Sequence, residues 1–442
     1  MALRELKRLD GPGWAAPLLD RIERRDAVVG VVGLGYVGLP LILTTRRAGF
    51  PVVGVDTSRE KIAALREGRS YVSDIAGDDL AVLGRNPRLS TQYRVLHDCD
   101  VVLITVPTPL LNHAPDLSFI EKAARGIARH LTPGSLVVLE STTYPGTTEE
   151  IVRPILETEG LTAGVDFALA YAPERIDPGQ DPGHIATTPR VVGGLTERCT
   201  EIALAFYRGF VKDVLAVSSP REAEMAKLIE NTYRHVNIAL VNEMAMISRE
   251  LGVNIWEALE AAATKPYGYQ PFWPGPGVGG HCIAIDPSYL SWRVGQRLGY
   301  RMTFVEHAQQ VNARMPEYVV QRVAEALNER GKAVRGARIL GIGVAYKANV
   351  NDPRESPALT VLGRLAAAGA EVSYHDPYVP EIVIAGRPLA SVPLNARTVA
   401  SHDCAVILTA HDGLDVDAVG RFGLVFDTRG VMPNDAPGVV RL

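Results

Sequence analysis

The hydrophobic positions of this chain change their spacing twice along its length. From Ala27 to about Val214, short β-branched runs alternate with segments of helical spacing. From about Pro220 to Leu251 the apolar positions recur at helical spacing, with no glycine or proline between Arg221 and Glu250. The helical spacing continues to about Lys265 and returns from Ser288 to Arg330. From about Ala337 the alternation returns. The pattern therefore predicts two α/β units joined by a long helix and a helical middle segment.

Continuous apolar strands separated by helices are typical of parallel sheets that helices cover on both faces. We therefore predict an α/β fold with two Rossmann-like, doubly wound parallel-sheet domains. The predicted boundaries are an N-terminal extension (1–26), a first α/β domain (27–215), a central helical domain (216–332) and a second α/β domain (333–442). The extension is polar apart from a short amphipathic helix near its end, and we assign it no chemistry.

Composition and charge exclude several classes of protein. The chain is 47% hydrophobic and 22% charged, as globular proteins are. A net charge of −4 gives no general field that attracts nucleic acid or an anionic membrane, so an anionic ligand must be held by local donors. We find no secretory signal and no apolar run long enough to span a membrane, and we expect a cytoplasmic protein. The four cysteines are far apart, which suggests neither a zinc site nor a disulfide framework.

A glycine motif follows the first apolar strand directly and opens a helix. It reads Gly33-Leu-Gly35-Tyr-Val-Gly38, and Asp56 ends the next strand. In such a motif Gly33 allows a tight turn, Gly35 lets a pyrophosphate approach the backbone, and Gly38 lets helix and strand pack closely. Asp56 would bind a ribose diol and repel a 2′-phosphate, which favours NAD over NADP, although Arg59 and Lys61 lie close enough to weaken that preference. The alternative is a packing turn that binds no ligand.

The segment from Pro274 to Pro287 reads PGPGVGGHCIAIDP and carries few side chains. Its backbone could therefore wrap closely around a ligand and expose Cys282. A helix N-terminus or a nearby lysine would lower the pKa of this thiol and make it a nucleophile, and Asp286 could face the same cavity. The alternative for any lone cysteine is a small buried hydrophobic residue, which is our interpretation of the other three.

Four further polar residues stand where chemistry is expected. Lys227 and Asn231 are four residues apart on the long helix, so they share a face, although such a face is usually solvated. Thr142 and Glu174 follow predicted strands at their carboxyl ends. Ligands bind at that edge of parallel sheets, so both residues are placed to contact one.

Taken together, these segments resemble the UDP-glucose/GDP-mannose dehydrogenase family from about Ala27 to the C-terminus. The motifs GLGYVGLP, EST, YAPERIDPG, AKLIENTYR, GPGVGGHCIAIDP and GVAYKANVNDPRESPA occur in the family's order and spacing. The resemblance implies a NAD-dependent, four-electron oxidation of the C6 hydroxymethyl group of a nucleoside-diphosphate hexose to a carboxylate. Two NAD are reduced per sugar in such a reaction, and no metal takes part. A first NAD-binding domain and a second, nucleotide-sugar-binding domain are implied.

The resemblance also implies three groups of site residues. The catalytic positions are Cys282 as the nucleophile, with Lys227, Asn231, Asp286, Glu174 and Thr142. The NAD contacts are Gly33, Gly35, Tyr36, Val37, Gly38, Asp56, Lys61, Pro107, Thr108, Ser141 and Thr142. The substrate contacts are Glu174, Arg175, Lys227, Gly277, Gly279, Gly280, Lys347 and Arg354, with Asp352 in the same motif as the last two.

In the implied mechanism, Lys227 and Asn231 stabilise the oxyanion while the first hydride leaves C6. Cys282 captures the aldehyde as a thiohemiacetal, and the second hydride transfer leaves a thioester. Glu174, with a water held by Thr142 and Asp286, acts as the base in thioester formation or hydrolysis. Covalent capture would keep the reactive aldehyde from escaping.

The motifs narrow the substrate further and leave alternatives. Ala284 and Pro353 depart from the common family wording, but neither change removes a polar group. PERIDPG and the polar extension resemble members that act on UDP-N-acetylhexosamines, so a UDP-N-acetylglucosamine or UDP-N-acetylmannosamine type of substrate is expected, with UDP- or dTDP-glucose as the alternative. The other open classes are a two-electron β-hydroxyacid dehydrogenase and a non-catalytic NAD- or sugar-binding module. The resemblance suggests a homodimer built through the central helix, with no nucleic-acid or membrane partner.

Overall fold

The computed structural model describes residues 13–72, 75–84, 86–111, 114–175, 184–280 and 283–442. The chain forms two compact units, Met1–Glu230 and Asn231–Leu442. The division falls inside the long helix, which runs from Pro220 to Glu250 as its spacing predicts.

The described residues of the first unit form ten strands and several short helical segments. Its strands are β1 (Val29–Val32), β2 (Val52–Val55), β3 (Leu89–Ser90), β4 (Val101–Ile104), β5 (Leu110–Leu111), β6 (Ala114–Pro115), β7 (Leu136–Leu139), β8 (Ala168–Tyr171), β9 (Arg190–Gly194) and β10 (Val214–Ala216). Its α-helices are α1 (Ala15–Glu23), α2 (Gly38–Arg47), α3 (Arg59–Arg66), α4 (Ser118–Ala128), α5 (Arg153–Leu156), α6 (His184–Thr187), α7 (Glu197–Arg208) and the start of α8 (Pro220–Glu250). Short 3₁₀ segments cover Gly77–Leu83, Tyr93–Asp98 and Glu157–Glu159, and a π-helical turn covers Thr148–Val152.

Eight of these strands form one sheet in the order β10-β9-β8-β7-β4-β1-β2-β3. The pairs from β8 to β3 are parallel, and β1, β4, β7 and β8 are buried along their full length, as helices on both faces require. The predicted parallel, doubly wound sheet is confirmed for this part. The amphipathic helix predicted near residue 20 is also present as α1, with Leu18 and Ile22 buried.

The structure differs from the sequence prediction at β9, which runs antiparallel to β8 and carries β10 with it. A parallel return needs a crossover of a dozen or more residues, usually a helix packed on the sheet. The described part of the connection from β8 to β9 contains only the four-residue α6. As a result the amino end of β9, at Arg190, lies at the edge where β7 and β8 end.

The second unit contains the rest of α8, a helical segment and a smaller sheet. Its helices are α9 (Ile255–Ala263), α10 (Asp286–Leu298), α11 (Thr303–Asn328), α12 (Pro357–Ala367), α13 (Ala396–Ser401) and α14 (Val416–Val419). Its strands are β11 (Arg338–Ile342), β12 (Glu371–His375), β13 (Glu381–Ile384), β14 (Arg387–Ala390), β15 (Cys404–Ile407), β16 (Val425–Asp427) and β17 (Val439–Arg441). Five of them form a parallel sheet in the order β12-β11-β15-β16-β17, and β13 and β14 form a hairpin.

The segment from Ser288 to Arg330, which its spacing predicts to be helical, contains two helices. α10 ends at Leu298, and Gly299 after it has a φ of +74°, the left-handed conformation that stops a helix and that glycine adopts most readily. α11 then continues through Pro316 without a break. The second α/β unit is confirmed, and the hairpin and β17 are elements that the spacing did not indicate.

The two sheets repeat one local arrangement of a turn and an acid. Gly33 follows β1 with φ +94°, and Gly343 follows β11 with φ +75°. Asp56 after β2 accepts a hydrogen bond from the main chain of the first turn, and Asp376 after β12 does the same for the second. The two units are therefore similar in the part of the fold where β-strand meets helix.

Candidate active site

The glycine turn after β1 has the geometry that its sequence predicts. A Cβ atom on Gly33 would lie 2.8 Å from the carbonyl oxygen of Thr105, and one on Gly38 would overlap the Gly33 carbonyl, so neither position admits a side chain. A Cβ atom on Gly35 would meet no atom within 4 Å. The main chain at Gly35 is thus open to a ligand, next to the N-terminus of α2. This is the cradle that a pyrophosphate needs.

Asp56 is 8% exposed and is fixed by main-chain donors. Its Oδ2 accepts from Leu34 N over 2.9 Å, and its Oδ1 accepts from Ser58 N over 2.9 Å. Lys61 Nζ lies 3.5 Å from Oδ2 and 5.6 Å from the ring centroid of Tyr71. Asp56 therefore fits the role of ribose acceptor, and Lys61 is held at its side rather than pointing away.

Tyr71 is a residue of this site that the sequence analysis missed. Its hydroxyl donates to the carbonyl oxygen of Leu34, inside the glycine motif, over 2.5 Å. Burial, together with the charge of Asp56, raises the pKa of Tyr71 beyond the range in which it could ionise under ordinary conditions. It therefore acts as a neutral donor that braces the turn. No local motif marks it, because it is distant in sequence from the glycines.

Replacing Asp56 with asparagine should relax the choice of cofactor. We expect kcat/KM for NAD to fall by about 10- to 100-fold, because a hydrogen bond to a charged acceptor contributes roughly 1.5–3 kcal/mol. The ratio of NADP to NAD use should rise by about tenfold, since the charge that repels a 2′-phosphate is gone while Lys61 remains. Steady-state kinetics with both cofactors measure this. Glu60→Gln on the same helix is the control, and an unchanged cofactor ratio in Asp56→Asn would refute the assignment.

The ends of β4 and β7 carry the other predicted cofactor contacts. Ser141 is 7% exposed, and its Oγ donates to the carbonyl oxygen of Val106 over 2.7 Å. This bond joins the two strand ends and fixes the main chain just before Pro107 and Thr108. Thr142 is half-buried in the loop that follows β7. These residues thus lie along the same edge of the sheet as the glycine turn.

Glu224 fastens that loop to the long helix, and the sequence analysis missed it. Its Oε2 accepts from Gly146 N over 2.6 Å, and its Oε1 accepts from Thr148 N and Thr148 Oγ1 over 2.9 and 2.7 Å. The side chain is fully buried. Glu224 precedes Lys227 by one helical turn, so it links the loop of Thr142 to the helix that carries a predicted catalytic residue. The sequence feature that could have identified Glu224 is a carboxylate at a position where the helical pattern predicts burial.

The buried Glu224 makes stability depend on pH. Burial, opposed by the three donated hydrogen bonds, raises its pKa to about 7. The folded state therefore prefers the protonated form, and the stability linked to this group is full below about pH 4.5 and is lost as the pH rises through 7, by roughly 3 kcal/mol. Glu224→Gln should be less stable at pH 5, because an amide cannot accept all three bonds, and this deficit should shrink toward pH 8. Calorimetric melts from pH 5 to 8 test this, with the exposed Glu222→Gln as control. A deficit independent of pH would contradict it.

Lys227 and Glu174 are brought together, as the sequence analysis predicts for two site residues. Both are 6% exposed. Lys227 Nζ donates to the main-chain carbonyl oxygen of Glu174 over 2.6 Å and lies 4.0 Å from its Oε2. A buried ammonium thus faces a buried carboxyl group at the carboxyl end of β8. A donor for an oxyanion and a proton acceptor stand side by side.

Arg175 has its guanidinium engaged within the first unit. It donates to both carboxylate oxygens of Glu230 on α8, and its Nη1 donates to the carbonyl oxygen of Pro189 over 2.7 Å. In this arrangement Arg175 ties the segment after β8 to the long helix and to the start of β9. A direct contact with substrate stays a prediction.

The second unit holds Asn231 and Asp286 in contact. Asn231 Nδ2 donates to Asp286 Oδ2 over 2.5 Å, and the two residues are 5% and 3% exposed. Asp286 is the first residue of α10. Cys282 lies four residues before this helix and outside the described residues. Of the predicted pair on α8, Lys227 therefore contacts the segment after β8, and Asn231 contacts the first residue of α10.

The glycines before Cys282 have a packing reason as well as the predicted one. A Cβ atom on Gly279 would lie 2.7 Å from the carbonyl oxygen of Glu355, and one on Gly280 would lie 2.8 Å from the Tyr346 ring. A Cβ atom on Gly277 would lie 3.2 Å from the Pro357 side chain. The loop thus lies flat on the segment that follows β11. Larger residues here would push it away from the second sheet.

That segment contains the predicted substrate contacts of the second unit. Arg354 donates to both carboxylate oxygens of Asp352, which is 6% exposed, while the Arg354 side chain is 56% exposed. Lys347 is half-buried. Arg429, after β16, is exposed and its Nη1 lies against Gly275 of the glycine loop. Sequence analysis missed Arg429, because one arginine after a strand carries no signal without a partner.

The interpretation of the other three cysteines as small buried hydrophobic residues is confirmed. Cys99, Cys199 and Cys404 are buried and form no disulfide. Burial raises the pKa of both Cys99 and Cys404 to about 12, so neither is a ready nucleophile. Within the described ranges, no group of three or more potential metal ligands occurs. Nor does any helix in those ranges combine the length and apolar character that crossing a membrane takes.

Models of one protein family match three successive parts of the chain. They describe the NAD binding, central and UDP binding domains of the UDP-glucose/GDP-mannose dehydrogenase family, and they match residues 27–211, 221–314 and 340–434. The chain belongs to this family. The predicted family and the predicted NAD cofactor are thereby confirmed, and with them the predicted class of enzyme.

Curated relatives and solved structures of this dehydrogenase family cover nearly the whole chain. The UDP-N-acetyl-D-mannosamine dehydrogenase of Pyrococcus horikoshii is 38% identical over 93% of this chain and 97% of its own. The UDP-N-acetyl-D-glucosamine 6-dehydrogenase of Pseudomonas aeruginosa is 37% identical over 88% and 91%. The solved UDP-D-ManNAc dehydrogenase of Pyrococcus horikoshii superposes with a TM-score of 0.84 at 34% identity, over 94% of this chain and 98% of its own. The predicted α/β fold class is confirmed by this likeness.

Proposed function

We propose that this dehydrogenase oxidises the C6 hydroxymethyl group of a UDP-N-acetylhexosamine to a carboxylate, with two NAD reduced per sugar. The observation that carries the proposal is the buried contact of Lys227 with Glu174 beside an open glycine cradle. A two-step oxidation of an alcohol needs both an oxyanion donor and a proton acceptor next to the cofactor. The names of the curated relatives support the acetamido sugar.

The residues divide the work of the first oxidation. Glu174, directly or through a water on Thr142, takes the proton of the C6 hydroxyl group. Lys227 and Asn231 donate to the oxygen as it gains negative charge, and burial keeps the Lys227 charge from being screened. The glycine turn and Asp56 would hold NAD, and one NAD would accept the hydride in each of the two oxidations.

Cys282 carries the second oxidation in this proposal. Its thiolate adds to the aldehyde carbon, and the resulting alkoxide takes back the proton that Glu174 accepted, which gives a thiohemiacetal and frees Glu174 to act as a base again. Loss of hydride from that carbon and of the hydroxyl proton to Glu174 leaves a thioester. Water then adds to the thioester carbon, and departure of the Cys282 thiol releases the carboxylate. Cys282 precedes the N-terminus of α10 by four residues, and a helix N-terminus favours a thiolate.

The second unit supplies the cations for the nucleotide in this proposal. Lys347, Arg354 and Arg429 lie on the segments that border the glycine loop, and the two arginines are exposed. Arginine forks and lysine ammonium groups bind diphosphates well even in a protein of negative net charge. The predicted division into an extension, two α/β domains and a central domain is kept as part of this proposal.

The wild-type enzyme tests the proposal through NADH formed per sugar consumed. We expect about two NADH from UDP-N-acetylglucosamine or UDP-N-acetylmannosamine, and far lower kcat/KM with UDP-glucose and dTDP-glucose. A preference for either glucose donor would move the substrate to the predicted alternative. One NADH per sugar would instead indicate a two-electron dehydrogenase, and binding of NAD and sugar without NADH would indicate a binding module.

The exposed face of α8 supports a homodimer. Tyr233, Leu240, Met244 and Ile247 are about half exposed and are spaced by seven, four and three residues. This spacing places them in one stripe, as in helices that pair along their length. An exposed apolar stripe of this kind is typical of a protein interface. We propose that a second copy of the chain covers it.

Introducing a charge into this stripe should separate the dimer. Met244→Glu places two carboxylates near each other across a symmetric contact, so we expect the molar mass from light scattering to fall to that of one chain. Val383→Glu, at a 64% exposed valine on the β13 hairpin, is the control and should leave the mass unchanged. A Met244→Glu protein with the wild-type mass would exclude this helix as the interface.

A cytoplasmic location belongs to the same proposal. The mechanism needs Cys282 as a free thiol, and reducing compartments keep thiols in that form. The three described cysteines are free and buried, which is consistent with such a compartment. Fractionation of cells that express the chain tests this.

A further inference from the structure

A buried ion pair lies beside the main chain that carries Glu174, and the mechanism above does not use it. Arg190 opens β9 and Glu140 follows β7, with side chains 4% and 0% exposed. Arg190 Nη1 donates to Glu140 Oε2 over 2.9 Å and to the carbonyl oxygen of Pro173 over 3.0 Å. One guanidinium therefore joins the ends of two strands to the residue that precedes Glu174.

Tyr207 on α7 completes this network. Its hydroxyl donates to Glu140 Oε1 over 2.5 Å, and its ring centroid lies 5.2 Å from the Arg190 guanidinium carbon. Both oxygens of Glu140 therefore have donors. Replacing a buried ion pair by well-packed apolar residues often leaves a protein equally stable or more so. Stability alone therefore does not explain why this buried position holds an ion pair. A role in the active site does explain it.

The topology explains how the pair reaches the site. In a fully parallel sheet the first residue of β9 would lie at the opposite edge from the end of β8. Because β9 runs antiparallel to β8, Arg190 lies at the edge where Glu140 and Glu174 leave their strands. The reversal of β9 thus places its first residue, an arginine, at the edge where a parallel strand would have its last residue.

Three cations hold the main chain around Glu174. Arg190 holds the carbonyl group of Pro173, and Lys227 holds the carbonyl group of Glu174 itself. Arg175, the residue after Glu174, is itself bonded to α8 and to the residue before Arg190. Hydrogen bonds from charged donors are the stronger ones, so this short segment is fixed at three consecutive positions.

We propose that Arg190, with Glu140 and Tyr207, is a positioning residue for Glu174: it fixes the preceding carbonyl group and holds a positive charge that keeps Glu174 ionised and aimed at C6. The inference rests on the proposed function, because it concerns the base of that reaction. Arg190 contacts neither substrate nor cofactor in this assignment. It acts through Glu174.

The charges that face these groups set the direction of the effect. Burial opposes the charged form of Arg190, but the neighbouring Glu140, Tyr207 and Glu174 act on it so that its pKa lies above the ordinary value. By linkage the attraction is mutual, so the Arg190 charge favours ionised Glu174. Lys227, 4.0 Å from the Glu174 carboxylate, acts in the same direction. Glu140 acts in the opposite direction, because it compensates Arg190.

Two single variants therefore shift the pH profile in opposite directions. The acidic limb of kcat reports the ionisation of the base in the enzyme–substrate complex. We expect Arg190→Gln to move this limb upward by about one pH unit and Glu140→Gln to move it downward. In Arg190→Gln we also expect kcat at the optimum to fall about tenfold, with the KM for the nucleotide sugar within threefold of wild type. A purely structural pair would lower stability in both variants without opposite shifts.

A conservative variant separates charge from position. Arg190→Lys keeps the positive charge, but one ammonium group cannot span Glu140 and the Pro173 carbonyl as the guanidinium fork does. We expect its acidic limb to coincide with that of wild type and its kcat to fall several-fold. Arg198→Gln, which breaks the Arg198–Glu201 pair on α7, is the control and should keep the wild-type profile.

The experiment begins with wild type, so that the two proposals can fail separately. If wild type forms about two NADH per UDP-N-acetylhexosamine and the glutamine variants bind NAD with wild-type affinity, opposite shifts support the inference. Unchanged limbs, or shifts in the same direction, overturn it and leave the proposed function intact. If the glutamine variants lose NAD binding and cooperative melting, Arg190→Lys decides, and a wild-type kcat in that variant overturns the inference. A wild type that forms no NADH from these sugars overturns the function, and the inference with it.

Discussion

Replacing Cys282 with serine should stop the enzyme after at most one slow oxidation per sugar. A serine hydroxyl is far less ionised and less nucleophilic than a thiol at neutral pH, so the aldehyde is captured poorly and the second oxidation lacks its covalent intermediate. We expect the turnover to the carboxylate to fall by about 10³-fold or more. NADH per sugar should fall from about two to one or below, measured by absorbance together with quantification of the sugar product.

A matched variant shows whether this loss belongs to one thiol. Cys99→Ala removes a buried thiol whose pKa is raised to about 12, and it should keep two NADH per sugar. Iodoacetamide should inactivate wild type and Cys99→Ala at the same rate, and substrate should protect both. Full four-electron oxidation by Cys282→Ser would refute the thioester route and leave the dehydrogenase without a covalent step.

Replacing Lys227 with methionine should have the second-largest effect. Methionine keeps much of the length of the side chain but removes the ammonium group that faces Glu174 and donates to its carbonyl oxygen. Loss of one donor to a developing oxyanion costs about 2.7–4 kcal/mol, so we expect kcat to fall by about 10²- to 10³-fold. The KM for the sugar should change little, because the donor acts mainly in the transition state.

Stability and cofactor binding are measured alongside this variant. The Glu174 carbonyl group loses its donor, which should destabilise the first unit by roughly 1–3 kcal/mol. NAD affinity, from calorimetric titration, should remain near that of wild type, since the glycine turn is untouched. Lys122→Met, at an exposed lysine on α4, is the control. A Lys227→Met enzyme with wild-type kcat would remove this residue from the chemistry.

Much of the fold could be predicted from the sequence because burial has a simple signature. β1, β4, β7 and β8 are buried on both faces, and their residues form continuous apolar runs. The long α8 lacks glycine and proline throughout its interior, which is why its bounds were predicted within about one residue. The direction of β9 could not be predicted, because a strand's direction depends on its connection and its apolar run is the same either way.

The candidate site was predicted where a residue's position in its element was enough. Thr142 and Glu174 follow strands, and parallel strand ends bring such residues to one edge. Glu224 and Arg190 were missed because a lone charge in an amphipathic helix or at a strand end usually faces solvent. Only the partners that bury these charges, which are distant in sequence, reveal their roles. Arg190 did carry a local signal, since it directly precedes the apolar run VVGG.

The glycine-rich segment before Cys282 illustrates a different limit. Its few side chains predict a backbone that can approach a ligand closely. The structure adds that Gly279 and Gly280 are also confined by Glu355 and Tyr346 of the segment that follows β11. Sequence spacing cannot separate the two reasons, because both demand the absence of a side chain.

The turn and acid that the two sheets share leave different acceptor capacity at the two carboxylates. Asp376 receives hydrogen bonds from four main-chain amides and faces His411 Nε2 at 3.0 Å, so a carboxylate with about four acceptor sites is saturated. Asp56, its counterpart, receives two main-chain bonds and keeps acceptor capacity for a sugar. Asp56 thus has room to bind a ligand, whereas the bonds of Asp376 are all made within the second unit. We therefore expect a substitution of Asp56 to change the preference between dinucleotides, and the same substitution of Asp376 to destabilise the second unit without changing that preference.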